Sequence, residues 1–194
     1  MGSHAALKRA TDLAICLALL VPGVLLCLPL MLLIRLESRG SPLFVQLRVG
    51  RAQRPFRMLK LRTMAAGTGD LPSHDVGRHR ITRVGRSLRR WKLDELPQLL
   101  NVLVGSMSLV GPRPCLPSQS ELIAARAERD LFVLRPGVTG PGQLAGVDMS
   151  EPARLAAVEA DYFRRATPLS DLRLMVGTVL GSGAGDAAAR ETER

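Results

Sequence analysis

The chain has 194 residues, of which 46% are hydrophobic, 3% aromatic and 23% charged, and its formal net charge is +10. This apolar content excludes a wholly disordered polymer, and a single long uncharged run excludes a bundle of several membrane spans. The positive charge indicates an anionic partner and says nothing about the fold. Nucleic acid, an anionic bilayer surface and a phosphorylated substrate are all open at this point.

The first element is an apolar segment, residues 13–34, which runs for 22 residues without a charge. A bilayer core of about 30 Å needs about 20 helical residues, so the segment is long enough to span it. Pro22 and Gly23 stand near its middle, and both residue types weaken a helix. The segment is therefore predicted to enter a membrane and to be interrupted near its centre.

Both flanks of this apolar segment are positive, with Lys8 and Arg9 before it and Arg35 and Arg39 after it. Because positive residues favour the cytoplasmic side, a spanning helix would leave one pair on the other side. A re-entrant hairpin removes this conflict, and its two arms would measure roughly 13 and 16 Å, about half a bilayer each. Spacing alone leaves the re-entrant hairpin and a kinked spanning helix equally open.

A basic block follows the apolar segment. Between Arg35 and Lys92 there are fifteen basic residues against three acidic ones, whereas from Asp94 onward there are ten against thirteen. Basic residues next to a membrane segment are attracted to anionic lipid by roughly 1 kcal/mol each. A site for single-stranded nucleic acid would interleave them with stacking aromatics, which are few here. The block therefore predicts anionic membrane lipids as partners and no nucleic acid.

The rest of the chain predicts one small α/β domain that is mostly helical. Strands are predicted at 43–49 and 56–64, and helices at 81–92, 93–103, 118–130, 151–165 and 169–180. Segments rich in glycine, proline or small polar residues predict loops at 65–79, 105–117 and 135–146, the first of them mobile. The Gly/Ala-rich residues 181–194 predict a disordered tail.

Asp94 and Glu95 form the only acidic doublet of the chain, at the predicted start of a helix. Acids are ordinary there, because the helix dipole favours them by about 0.3–1 kcal/mol. Four cations shortly before the doublet would keep it ionised. An ionised aspartate can attack phosphorus, and a neighbouring carboxylate can help to hold Mg²⁺. A helix start and a reactive pair are both consistent with the pattern.

Two Gly/Pro loops each present one arginine, Arg113 in GPRP at 111–114 and Arg135 in RPGVTG at 135–140. Such loops are usually only turns, yet two fixed guanidinium groups are suited to bidentate phosphate binding. The chain has no Walker lysine motif, GxGxxG or GxSxG. Three cysteines without a CxxC pair, and three unclustered histidines, argue against a disulfide framework or a zinc site.

Together these motifs resemble the bacterial sugar transferases, the monotopic phosphoglycosyl transferases. The resemblance extends from about residue 8 to 180, and the length is similar to that of the minimal members. It rests on KLRTM (60–64), LDELPQLLNVL (93–103), MSLVGPRP (107–114), RPGVTG (135–140) with Gln143, and Asp161-Tyr162.

The resemblance implies transfer of a sugar 1-phosphate from a UDP-sugar to a polyprenol phosphate, with undecaprenyl phosphate as the expected acceptor and Mg²⁺ as cofactor. This reaction begins membrane glycoconjugate assembly on the cytoplasmic face of the bacterial inner membrane. In the family, the aspartate of the Asp-Glu pair attacks the phosphate next to the sugar and releases UMP. Asp94 is thereby implied as nucleophile and metal ligand, and Glu95 as its partner in metal or proton handling.

The residues implied to bind substrate are Arg113, Arg135, Lys60, Arg62 and Gln143. Lys60 and Arg62 could instead support the lipid-facing side of the domain. Pro141-Gly142 and Val147 depart from the family pattern in a loop that could shape the sugar or uridine pocket. The identity of the sugar is therefore not carried over.

The resemblance also implies a re-entrant anchor and three regions. These are a membrane helix hairpin at 8–36, a cytoplasmic catalytic domain with membrane-surface helices at 37–180, and a disordered tail at 181–194. The rival interpretation is a non-catalytic, basic membrane-surface adaptor, in which Asp94-Glu95 is only the start of a helix.

Overall fold

In a computed structural model, the described residues are 2–65 and 80–180. The predicted tail at 181–194 and nearly all of the predicted loop at 65–79 lie outside them. The helices are α1 (Gly2–Glu37), α2 (Arg83–Arg90), α3 (Gln98–Leu103), α4 (Ser120–Ala127), α5 (Pro141–Ala145), α6 (Pro152–Arg165) and α7 (Pro168–Val179). The strands are β1 (Leu43–Val49), β2 (Pro55–Leu61), β3 (Ser108–Val110) and β4 (Gly137–Thr139). The prediction of a mostly helical domain with a small β component is confirmed.

The helix starts follow local chemistry. Helices α5, α6 and α7 each have a proline at the first turn, where its missing N–H is not needed. At α7 the side chains of Thr167 and Ser170 form a reciprocal capping box. At α2 the Thr82 hydroxyl accepts a hydrogen bond from the Gly85 amide. These signals explain why the bounds predicted for α2, α6 and α7 lie within two residues of the observed ones.

The strands form two separate pairs. β1 and β2 pair antiparallel, in a register that runs from Leu43 opposite Leu61 to Val49 opposite Pro55. β3 and β4 pair parallel, with Ser108 opposite Gly137 and Val110 opposite Thr139. The prediction of a structured loop at 105–117 and of a second Gly/Pro loop at 135–146 missed the regular elements in these segments, which are β3, β4 and α5. These strands are three residues long and are separated by 26 residues of chain, so they leave no periodic signal in the sequence.

Helix α1 runs through the predicted break, with Pro22 and Pro29 inside it. Its apolar stretch has a mean hydropathy of 2.8 and is only 11% buried, so it is long and apolar enough to cross a membrane. Each proline removes one helical hydrogen bond, which weakens the helix locally without ending it. The structure therefore confirms a candidate anchor, and its path in a bilayer stays a prediction.

Two parts of α1 belong to the core of the globular domain. In the first half of the helix, Cys16 is 0% exposed and packs with Leu99 and Val102. Near the second end, Ile34 is 2% exposed and packs with Leu61 and Leu88. A third core cluster, which does not involve α1, contains Val49, Cys115, Leu122, Val147 and Leu155.

Polar contacts attach both ends of α1 to the globular domain. The Lys8 ammonium lies 2.6 Å from the Asp171 carboxylate, and the buried Asp12 accepts a 2.6 Å hydrogen bond from the Ser108 hydroxyl. At the other end, Glu37 accepts hydrogen bonds from the Arg83 and Val84 amides and so caps α2. The apolar side chains between these ends are largely exposed.

The two Gly/Pro loops pack backbone against backbone. A Cβ atom at Gly111 would overlap the carbonyl oxygen of Arg135, and one at Gly137 would overlap the amide nitrogen of Gly111. Glycine is therefore required at both positions by lack of space.

Replacing Gly137 with alanine should lower the free energy of unfolding by at least about 2 kcal/mol, because a backbone neighbour cannot move aside as a side chain can. For a chain of this size, that is about 4–8 °C of Tm, measured by thermal melting in detergent. The matched control is Gly177→Ala on α7, where the new Cβ meets only the Leu144 Cδ2 methyl at 3.0 Å. The control should retain the Tm, and a Gly137→Ala protein that also retained it would contradict the proposed overlap.

Candidate active site

The acidic doublet lies in a tight turn between α2 and α3. Asp94 and Glu95 belong to a 3₁₀ turn, Leu93–Glu95, that leads into α3. Lys92, directly before the turn, has a left-handed backbone (φ 54°, ψ 22°), which redirects the chain after α2. Asp94 is only 7% exposed. The helix predicted at 93–103 therefore begins only at Gln98, and the 3₁₀ turn before it holds the doublet in a mostly buried position.

Glu95 brings together side chains from three separate segments. Its Oε1 atom lies 3.1 Å from the Lys60 ammonium on β2 and 3.7 Å from the Arg113 guanidinium in the loop after β3. All three side chains are largely buried, with 13–22% of their surface exposed. The carboxylate lies between the two cations and holds them near each other by opposite charge. Lys60, Glu95 and Arg113, with Asp94 next to Glu95 in the chain, form the candidate site.

Asn101 fixes the strand that carries Lys60. Its amide oxygen accepts a 3.0 Å hydrogen bond from the Leu59 N–H, and its amide nitrogen donates one of 2.8 Å to the Arg57 carbonyl. The buried Asn101 side chain thus pairs with the outer edge of β2 as a further strand would. Because Asn101 is on α3, directly after the acidic doublet, it sets the position of Lys60 relative to Glu95. The sequence placed Asn101 within a family motif but assigned it no role.

Arg135 lies at the other end of α3 from Glu95. Its Nε donates a 2.9 Å hydrogen bond to the Gly105 carbonyl. Burial, and then the charges of Arg9 and Arg51, lower the pKa of the Arg135 guanidinium. Arg9 donates to the nearby carbonyls of Val102 and Leu103, so two arginines share the carbonyl end of α3. Phosphate binding by Arg135 stays a prediction.

Arg62 and Gln143 are also placed away from this set. The Arg62 guanidinium donates to the Ser38 and Arg39 carbonyls, directly after the end of α1. Gln143 is on α5, and its buried amide oxygen has no hydrogen-bond partner within residues 2–65 and 80–180. In that part of the chain, the structure joins Lys60 and Arg113 to Glu95, and it shows no such contact for Arg62, Arg135 or Gln143.

The acidic doublet has the chemistry for a metal shared with a substrate. Mg²⁺ binds through one or two carboxylates together with water and phosphate oxygens. Asp94 and Glu95 can supply those carboxylates. The described residues contain no group of three or more His, Cys, Asp or Glu side chains that could hold a metal by themselves. The doublet therefore fits Mg²⁺ that arrives with, or is completed by, a phosphorylated substrate.

Comparison with known proteins identifies relatives along nearly the whole chain. The family described as bacterial sugar transferase matches residues 3–183. A Caulobacter vibrioides protein named UDP-glucose:undecaprenyl-phosphate glucose-1-phosphate transferase is 41% identical, over 89% of this chain and 68% of its own length. An Escherichia coli K12 protein of the same name is 33% identical, over 92% of this chain and 40% of its own length.

The sugar varies among such relatives. An Aeromonas hydrophila protein named UDP-N-acetylgalactosamine-undecaprenyl-phosphate N-acetylgalactosaminephosphotransferase is 38% identical, over 73% of this chain and 34% of its own length. The chain thus spans about two thirds of the Caulobacter relative and well under half of the other two.

Replacing Asn101 with aspartate should lower the free energy of unfolding by about 2–4 kcal/mol, because a carboxylate oxygen would face the Arg57 carbonyl and leave it without a donor. Thermal melting in detergent measures the change. The control is Gln53→Glu, the same amide-to-carboxylate change on an exposed side chain, and it should have little effect. Equal melting temperatures for Asn101→Asp and the unmodified chain would show that the amide does not brace β2.

Proposed function

The chain belongs to the bacterial sugar transferase family, and on that premise we propose that it transfers a sugar 1-phosphate from a UDP-sugar to undecaprenyl phosphate or a similar polyprenol phosphate. The observation that carries the proposal is the convergence of Lys60 and Arg113 on Glu95, beside Asp94. Two cations held this close are suited to the two phosphates of a UDP-sugar. A non-catalytic adaptor has no need for this arrangement.

The first half of the reaction forms a covalent bond to Asp94. A carboxylate oxygen of Asp94 attacks the phosphorus that bears the sugar. The bond from that phosphorus to the bridging oxygen breaks, and UMP leaves with the bridging oxygen and its electron pair. Lys60 and Arg113 neutralise charge that builds up on the phosphates as UMP departs. Mg²⁺, held by the acidic doublet and phosphate oxygens, would supply further neutralisation.

The second half of the reaction regenerates the free carboxylate of Asp94. A phosphate oxygen of the polyprenol phosphate attacks the same phosphorus, the acyl phosphate bond breaks, and Asp94 regains its carboxylate. The product is a polyprenol diphosphate sugar. The phosphate of the polyprenol phosphate is already anionic near neutral pH, since the second pKa of a phosphate monoester is about 6. Glu95 holds Lys60 and Arg113 in place and, with Asp94, would offer a carboxylate to Mg²⁺.

The packing of α1 supports a re-entrant anchor over residues 8–36. Lys8 and Glu37 both contact the globular domain, although a straight helix between them would be about 43 Å long. A spanning helix would place its ends on opposite sides of about 30 Å of hydrocarbon, out of reach of one domain. An anchor that enters and leaves by the cytoplasmic face lets both ends touch the same domain and buries the exposed apolar middle in lipid.

Asp94→Asn should reduce UMP release by about 10³-fold or more, because the amide cannot form the acyl phosphate. The assay incubates detergent-solubilised protein with Mg²⁺ and UDP-glucose or UDP-N-acetylgalactosamine. Intact mass under denaturing conditions should show a sugar-phosphate adduct on the unmodified chain and none on Asp94→Asn.

The control for that experiment is Asp130→Asn, since Asp130 is an exposed aspartate outside the motifs shared with the family. It should retain activity. Full turnover by Asp94→Asn would refute the assignment of the nucleophile. Absence of UMP release from every UDP-sugar tried would favour the adaptor interpretation instead.

The topology is testable with single cysteines at two exposed positions, Ala5→Cys and Ser41→Cys. In intact bacterial spheroplasts, a membrane-impermeant maleimide should label neither position, and after permeabilisation it should label both. The unmodified chain, with Cys16 and Cys115 buried, sets the background. Labelling of either position in intact spheroplasts would contradict a re-entrant anchor on the cytoplasmic face.

A further inference from the structure

Arg126 on α4 and Glu159 on α6 form a buried, two-pronged ion pair. The Arg126 Nε and Nη2 atoms lie 2.8 and 2.6 Å from the two carboxylate oxygens of Glu159. The residues are 2% and 1% exposed. The pair joins two helices that pack against each other, and the proposed reaction makes no direct use of it.

The same ion pair forms hydrogen bonds with the backbone of one residue of the candidate site, Arg113. The third nitrogen of Arg126, Nη1, donates a 2.7 Å hydrogen bond to the Arg113 carbonyl. The Arg113 N–H donates one of 3.3 Å to Glu159 Oε1. Arg113 lies between Pro112 and Pro114, which have no N–H, so its amide is the only backbone donor of this tripeptide. Arg126 and Glu159 therefore hold both backbone polar groups of Arg113.

The neighbouring carbonyls of the loop are held as well. Pro112 accepts from the Gly137 amide at 2.9 Å, Pro114 from the Arg48 guanidinium at 3.1 Å, and Cys115 from the Val49 amide at 2.9 Å. Within this loop the backbone of Arg113 is the part that depends on side chains of α4 and α6. Loss of the ion pair would release that residue while leaving its neighbours fixed.

Stability alone is a weak reason for this ion pair. Buried ion pairs can often be replaced by apolar residues of similar volume without loss of stability, because desolvation offsets their attraction. Burial raises the pKa of the Glu159 carboxyl, although Arg126 acts in the opposite direction. The hydrogen bonds to Arg113, by contrast, have no apolar substitute.

We propose that Arg126 and Glu159 are positioning residues, which fix the Arg113 peptide so that its guanidinium stays beside Glu95 and the diphosphate of the substrate. This inference rests on the proposed function, because it takes Arg113 to bind phosphate. A displacement of about 1 Å at such a residue can reduce a rate about 10²-fold.

The test replaces both members with apolar residues of similar volume, Arg126→Met with Glu159→Leu. The double variant should retain a cooperative melt, with a lower Tm because the Arg113 carbonyl and amide lose their hydrogen-bond partners. It should bind UDP, in the presence of Mg²⁺, about 10-fold more weakly by isothermal titration in detergent and release UMP about 10–100-fold more slowly. The matched control, Glu151→Leu with Arg154→Met, changes an exposed pair at the start of α6 and should alter neither quantity.

A double-mutant cycle separates positioning from general damage. Arg113→Met should itself weaken UDP binding about 10-fold, and adding the Arg126→Met and Glu159→Leu changes to it should weaken binding no further. Independent, multiplying effects would show that the pair does not act through Arg113. A stable double variant with unchanged affinity for UDP and unchanged UMP release would overturn the proposal outright.

A second variant tests the proposal if the protein with Arg126→Met and Glu159→Leu does not fold. Arg126→Lys keeps the charge beside Glu159 but lacks the guanidinium fork, so it should weaken UDP binding while retaining a cooperative melt. Failure of the proposed function has a different signature, since the unmodified chain would then release no UMP from any UDP-sugar. Weakened UDP binding by the ion-pair variants is measurable in either case.

Discussion

The meeting of two cations on one carboxylate is the constraint on which the candidate site depends. The ammonium of Lys60 and the guanidinium of Arg113 both lie within 3.7 Å of Glu95 Oε1, so the two cations are no more than about 7 Å apart. Without the carboxylate they would repel by about 2 kcal/mol at an effective dielectric constant of 20. Glu95 thus allows a spacing of the two cations that suits a diphosphate. Three further contacts hold that spacing: the hydrogen bonds of Asn101 to β2, the close approach of Gly111 to Gly137, and the Arg126–Glu159 pair.

Helix α1 is as much a part of the domain core as a membrane anchor. Cys16 and Ile34 are as buried as any residue of the globular part, and the buried Asp12 bonds to β3. A typical membrane anchor is joined to its domain by a linker and packs little against it. Here the predicted boundary between residues 36 and 37 does not separate two packing units, because α1 contributes to the core of the domain. The sequence of α1 therefore has to provide both side chains that pack in the protein core and exposed apolar side chains suited to lipid.

Patterns that repeat over a few residues were readable from the sequence, and contacts between distant segments were not. The strand Leu43–Val49 was predicted at its observed bounds, and α6 within one residue, because periodicity and turn residues are local. The family resemblance supplied Lys60, Glu95 and Arg113 as separate candidates. It could not show that Glu95 joins them, or that Arg126 and Glu159, which look like ordinary helix charges, reach the Arg113 peptide.

In the proposed arrangement, α1 also fixes the depth of the site relative to the membrane. Arg62, two residues after Lys60, bonds to the carbonyls that follow the end of α1, while Arg9, near its start, bonds to the last carbonyls of α3. The strand that carries Lys60 and the helix that follows Asp94-Glu95 are thus tied to opposite ends of one membrane segment. A reaction between a soluble nucleotide sugar and a lipid phosphate requires a fixed depth at the interface. Fastening the site to both ends of α1 meets that requirement, because neither element can then shift relative to the bilayer without moving the other.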